Sequence, residues 1–108
     1  MTNWSVEFLD DAALAELEAM PADIKARFVR IVELIEGHGL ERVGEPHLKH
    51  LQGKLWEMRM KGRDGIARSL YVTATGRRVV VLRTFAKKTQ KTPRREIELA
   101  LERAKEVK

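Results

Sequence analysis

Three apolar runs separated by two tight-turn dipeptides constrain this chain more than any other feature. Leu55 to Met60 alternates, with Trp56, Met58 and Met60 facing one way and Glu57 and Arg59 the other. Asp64-Gly65 then marks a turn, Ile66 to Ala74 forms a second run, Thr75-Gly76 a second turn, and Arg77 to Ala86 a third run. A period of two in short segments, broken by Asp-Gly and Gly-containing dipeptides, is the pattern of strands joined by hairpins. These residues therefore predict an antiparallel meander. Within its last strand, the uninterrupted Val79-Val80-Val81-Leu82 predicts burial on both faces.

Helical signals surround the meander. Trp4, Val6 and Phe8 alternate with Ser5 and Glu7, predicting a strand over Trp4 to Leu9. Asp10 or Asp11 can cap a helix over Ala12 to Met20, a segment rich in strong helix formers. Pro21 suits the first turn of a second helix, whose Ile24, Phe28, Ile31 and Ile35 step along one face to about Glu36, with Gly37 as its stop. Gly39 to Lys54 holds Gly44, Pro46 and Gly53 with little periodicity and reads as a loop. Thr92 and Pro93 look like the cap and first residue of a last helix, with Ile97, Leu101 and Ala104 on one side. The order is β-α-α-β-β-β-α. The expectation is an α+β fold, a small, mostly antiparallel sheet of four strands with helices on one face and the other face partly open.

The chain's 108 residues, 44% hydrophobic and 34% charged, fit one domain over 1–108 with a core of its own. Without cysteine there are no disulfides, thiolate metal sites or thiol nucleophiles. Lacking a long apolar span or a basic-then-apolar leader, the sequence reads as cytoplasmic.

Charge is distributed unevenly. Residues 1–54 carry six Lys+Arg and ten Asp+Glu, a net of −4, whereas residues 55–108 carry fifteen and six, a net of +9. Between Asp64 and Glu96 there is no acid, yet Arg68, Arg77, Arg78, Arg83, Lys87, Lys88, Lys91, Arg94 and Arg95 all lie there. A field of this kind attracts polyanions, nucleic acid first among them.

Most reaction classes lack their residues. Gly53-Lys54 has neither the glycine spacing nor the following Ser/Thr of a phosphate loop, and no dinucleotide fingerprint or Gly-x-Ser-x-Gly elbow occurs, so no cofactor is expected. His47 and His50, with Glu45 nearby, make a poor metal set and read as exposed or packing histidines; no metal is expected. What remains is cationic. Arg59 and Arg68, on strands joined by one hairpin, can be neighbours on a sheet face, where like charges are best tolerated with an anion between them. The pair reads either as a clamp for a scissile phosphate or as two solvated arginines, one paired with Glu57. Lys87, Lys88 and Lys91, leaving the last strand, either contact phosphates, with one lysine of lowered pKa moving protons, or form an ordinary basic loop. Positive charge at a helix start is mildly unfavourable, so Lys91, Arg94 and Arg95 together favour a function.

Three segments resemble a known family. They are Leu51-Gln52-Gly53-Lys54-Leu55-Trp56-Glu57-Met58-Arg59; Arg68 with Leu70-Tyr71; and Val81 to Ile97, containing Phe85-Ala86-Lys87-Lys88-Thr89-Gln90-Lys91-Thr92-Pro93. Together they are similar to the HigB-like branch of the RelE/ParE toxin superfamily, over nearly the whole chain. The resemblance implies a small antiparallel sheet with N-terminal helices and the toxin of a type II toxin-antitoxin module. Such a toxin is usually an endoribonuclease that cuts mRNA in the ribosomal A site, the ribose 2′-hydroxyl attacking the adjacent phosphate and the 5′-oxygen leaving without a metal. It also implies a cognate antitoxin as partner, with ribosome and mRNA as targets, and no membrane.

By family position, Arg59 matches a basic residue of the second strand and Arg68 the phosphate-binding arginine of the third. Lys87 and Lys88 fall in the basic loop after the last strand. Arg59, Arg68, Lys87 and Lys88 are thus the expected catalytic residues, and Lys54, Lys91, Arg94 and Arg95 the expected RNA-binding ones. The chain departs from some relatives by placing Glu57 where they have lysine, by having no tyrosine after Tyr71, and by keeping all three histidines before Leu51. Glu57 is a base, an orienting partner of Arg59, or structural. The alternative functions are a non-catalytic ParE-type inhibitor of DNA gyrase and a basic nucleic-acid-binding module.

Overall fold

In the computed structural model, residues 3–88 and 91–108 are described; Thr89 and Gln90 of the basic segment lie outside them. The chain runs β1 (Ser5–Phe8), α1 (Asp11–Glu18), α2 (Ala22–His38), a 3-10 turn (Leu40–Arg42), β2 (Leu48–Gln52), β3 (Leu55–Lys61), β4 (Ile66–Ala74), β5 (Arg78–Lys87) and α3 (Arg94–Ala104). This is the expected α+β order with one addition, the strand β2. The sheet has five strands in the order β1-β5-β4-β3-β2, antiparallel except for β1, which runs parallel to β5.

Local chemistry accounts for most element ends. Asp10 accepts the Ala13 amide at 2.9 Å and caps α1. Helix α2 runs two residues past the expected end; Gly37 lies inside it, and Gly39, at φ +92°, makes the stop instead. The β4–β5 hairpin closes on Ala74↔Arg78 with a three-residue loop, in which Gly76 and Arg77 both have positive φ.

Two apolar layers sandwich the sheet. Leu17 of α1 and Ile24, Phe28, Ile31 and Ile35 of α2 pack against Met58, Met60, Tyr71, Val79 and Val81. On the opposite face Leu55, Leu70, Val72, Val80, Leu82 and Phe85 pack against Ala100 of α3, with Ile97 and Ala104 beside them. The helices are therefore not confined to one face. Since Val79 to Leu82 buries side chains in both directions, each face needs a cover, and α3 supplies the second. Its buried side carries Glu96 and Ala100, whereas Leu101, expected there, is exposed.

A β-bulge decides what this second face displays. The register passes from Tyr71↔Val81 to Leu70↔Arg83, skipping Leu82. One extra residue reverses the parity of everything after it. Arg83, Phe85 and Lys87 thereby face the same side as Leu70, Arg68 and Ile66, rather than the α2 layer.

Candidate nucleic-acid interface

Helix α3 covers only part of its sheet face. On the remainder, near the end of β3 and the start of β4, Arg59 and Arg68 are directly opposite in register, and Ile66↔Lys87 brings Lys87 alongside. Directly opposed like charges destabilise a strand pair unless something compensates. Glu57 compensates. It lies two residues before Arg59 on β3, so the period of two puts both on one face. Its Oε2 accepts from Arg59 Nε at 3.0 Å and lies 3.4 Å from Arg68 Nε, the latter an ion pair without hydrogen-bond alignment. Its Oε1 accepts from the Thr92 hydroxyl at 2.6 Å. Glu57 is 1% exposed, Arg68 6%, Lys87 5% and Thr92 6%.

This arrangement is a buried carboxylate holding two guanidinium groups together beneath a lysine. Arg59, Arg68 and Lys87 against Glu57 leave a formal excess of +2 on one patch of sheet. Arg68 donates Nη1 to the Ala67 carbonyl at 3.1 Å, and its charge is mildly disfavoured, first by burial and then by Arg59, with Glu57 opposing. A guanidinium stays protonated through such a shift. Burial is also the main cause that lowers the Lys87 pKa below its ordinary 10.5; Arg68, Arg59 and Lys49 add to it, and Glu57 works against it. Lys49 enters through β2, where it pairs with Glu57 in register. Among the described residues the Nη groups of Arg59 have no protein partner, which leaves a donor fork available to an external anion.

The expected site residues separate into groups. Arg59, Arg68 and Lys87 come together. Lys88 is exposed, one residue beyond β5. Lys54 sits in the β2–β3 turn, five residues along the strand from Arg59, about 17 Å away at a strand's rise, and does not join them. Lys91, Arg94 and Arg95 are exposed around the start of α3; Arg94 pairs with Glu98 at 3.4 Å and Arg95 approaches Glu96 at 4.0 Å. Thr92 does not cap α3, because Pro93 occupies the cap position with no side-chain bond and the Thr92 hydroxyl is committed to Glu57.

Part of the expected basic field is neutralised by folding. Arg83 pairs with Glu16 at 2.9 Å and Glu96 at 2.8 Å, Arg103 clasps Glu16 at 2.8 Å and 2.9 Å, and Arg78 pairs with Glu7 at 3.0 Å. Glu16 also accepts the Thr84 amide at 3.3 Å, on the outer edge of β5 beyond the end of β1. The acidic N-terminal half thus cancels charge that the linear count assigns to the surface. Residues that sequence reasoning missed are Thr92 in its sheet-facing role and Lys49. The strand period could have suggested Lys49 only if β2 had been recognised.

The sequence profile of the family described as phage derived protein Gp49-like matches residues 15–105. A chain of the archaeal RelE–RelB complex from Pyrococcus horikoshii OT3 superposes with a TM-score of 0.56 at 18% identity, covering 79% of this chain and 96% of that one. No curated protein sequence matches significantly.

Proposed function

The chain belongs to the Gp49-like family of phage-derived proteins, and from that premise we propose that it is the toxin of a type II toxin-antitoxin pair, a HigB-like endoribonuclease that cuts mRNA on the ribosome. One observation carries the reading: Arg59 and Arg68, opposed in register, are held by the buried Glu57 with Lys87 on the same sheet face. Its fold, shared with a chain of a RelE–RelB complex, supports an antitoxin as partner.

In the proposed reaction the ribose 2′-oxygen attacks the adjacent phosphorus as its proton passes to solvent water, and the 5′-oxygen departs with a proton, giving a 2′,3′-cyclic phosphate and a 5′-hydroxyl. Negative charge grows on the phosphoryl oxygens, so preorganised cations there stabilise the transition state more than the ground state. Arg68 is that group, fixed by burial, with Arg59 as the half-buried arm of the clamp. Lys87 is the proton-transfer residue. Its lowered pKa makes its ammonium a better acid near neutral pH, and it donates to the departing 5′-oxygen. Glu57, with both oxygens engaged, orients the arginines rather than acting as base. Lys88, Lys91, Arg94 and Arg95 bind RNA backbone around the start of α3, and Lys54 contacts it farther along the sheet.

Inducing the chain in bacteria and mapping mRNA 5′ ends tests the reading. Cuts inside translated codons, relieved by co-expressing a neighbouring gene product that binds the chain, are expected. Intact mRNA with induction of DNA damage would instead assign it to gyrase inhibition.

A further inference from the structure

Beside the clamp a groove of about 420 Å³ opens toward α2, and the proposed chemistry uses only its clamp arginines. Its walls include Arg59 and Arg68, Arg27 of α2 and Lys61 of β3, with Ile66 opposite Lys61 in register and His47 bonded through its carbonyl to the Arg59 amide. That volume is within the range of small-ligand sites. Four of its lining residues are permanent or near-permanent cations and none is an acid.

Next to the groove, the β3–β4 turn sits directly on the first turn of α2. Asp23 Oδ2 accepts the Arg63 amide at 2.6 Å, and a Cβ on Gly62 would stand 2.6 Å from that oxygen. This contact also removes Arg27's natural counter-ion. Asp23 is four residues before Arg27, the spacing of a helical ion pair, but its oxygens go to the Arg63 and Ile24 amides. Among the described residues Arg27 makes no ion pair. A second, more open hollow shares Arg27 and Lys61 and continues past Gly62 to Arg63, with the Asp23 carboxylate, whose oxygens accept backbone amides, also on its wall.

We propose that this groove is a second phosphate subsite: it binds the backbone of the RNA strand flanking the scissile phosphate, with Arg27 and Lys61 each contacting a phosphate. The inference rests on the reading of Arg59 and Arg68 as the scissile-phosphate clamp, and names how the strand leaves it. A track of spaced cations suits a polymer with regularly spaced charges, whereas an isolated anion needs only the clamp.

Salt dependence of binding tests this on the full chain, with 2′-O-methyl RNA that cannot be cleaved. A dinucleotide carries one phosphodiester and reaches the clamp alone; a pentanucleotide reaches the groove as well. Each phosphate contact contributes about 0.7 to the slope of log affinity against log salt for single strands. Arg27→Ala and Lys61→Ala, both at exposed positions and checked by thermal melting, are each expected to flatten the pentanucleotide slope by about 0.7 and leave the dinucleotide slope unchanged. Unchanged pentanucleotide slopes, or no pentanucleotide binding by the native chain, overturn the subsite. An acidic peptide whose affinity falls in Arg27→Ala while the pentanucleotide's does not also overturns it, and assigns the groove to a protein partner. Failure of the clamp reads differently: Arg68→Ala then leaves dinucleotide binding and mRNA cleavage intact whatever Arg27 does.

Discussion

Replacing Glu57 by alanine removes the one carboxylate both clamp arginines share. Arg68, 6% exposed, would be left beside Arg59 and Lys87 without its counter-charge, and the Thr92 hydroxyl would lose its acceptor. Removing one partner of a buried ion pair costs about 3–5 kcal/mol, because the remaining charge stays desolvated. Native stability is typically about 5–15 kcal/mol, so the loss is a large share of the total. At roughly 4 °C per kcal/mol for a domain near this size, the melting temperature should fall by roughly 12–20 °C. Urea denaturation with and without added phosphate separates this cause from simple cavity formation. If the defect is two uncompensated arginines, inorganic phosphate should restore part of the stability, about 1.4 kcal/mol at ten times its dissociation constant. Glu57→Gln keeps the Thr92 acceptor and should fall between native and Glu57→Ala. A loss below about 0.5 kcal/mol in Glu57→Ala, or a loss that phosphate does not reverse, would refute the idea that Glu57 holds the clamp together.

Other expectations follow from single contacts. Burial alone would raise the Glu16 pKa, but the Arg103 hydrogen bonds, the Arg83 charge and the Thr84 amide together hold it below its ordinary 4.5. A depressed carboxylate contributes stability that is complete above its unfolded pKa and lost as pH falls through the folded one, so acid titration of melting temperature should lose a step below about pH 4.5 in Glu16→Gln. Gly62→Ala places a methyl 2.6 Å from Asp23 Oδ2 and 2.8 Å from Ile24 Cδ1, and denaturation should show a cost of about 1–3 kcal/mol. With Lys87 as proton donor, single-turnover cleavage should decline as pH rises through its lowered pKa; Lys49→Ala, which removes a charge that helps lower it, should move that decline to higher pH.

Elements with strict periodicity are legible in the sequence. The meander, the Ile24 to Ile35 helix face and the double burial of Val79 to Leu82 each follow from spacing alone, as does the neighbourhood of Arg59 and Arg68 across one hairpin. What escaped depends on tertiary contact. Strand β2 alternates poorly because it is an edge strand with a bulge between His50 and Gln52, and Gly44, Pro46 and Gly53 around it suggest turns. The bulge at Leu82 leaves no trace in an all-apolar run, yet it alone turns Lys87 toward the clamp. Thr92 before proline has the local pattern of a helix cap; a buried carboxylate 35 residues earlier in the chain claims its hydroxyl instead. The acid-free stretch from residue 65 to 95 overstated the basic surface, since Arg78 and Arg83 find carboxylates brought in by β1, α1 and α3.

If the opposed arginines stabilise charge developing on a phosphate, single-turnover cleavage of ribosome-bound mRNA reads it out. Arg68→Ala should lower the cleavage rate by about 100-fold or more, as expected for loss of one preorganised electrostatic group, while ribosome binding measured by co-sedimentation changes far less. Arg59→Ala should show the same split to a smaller degree. Folded Arg68→Ala and Arg59→Ala proteins that cleave at the native rate would place the chemistry elsewhere on the chain.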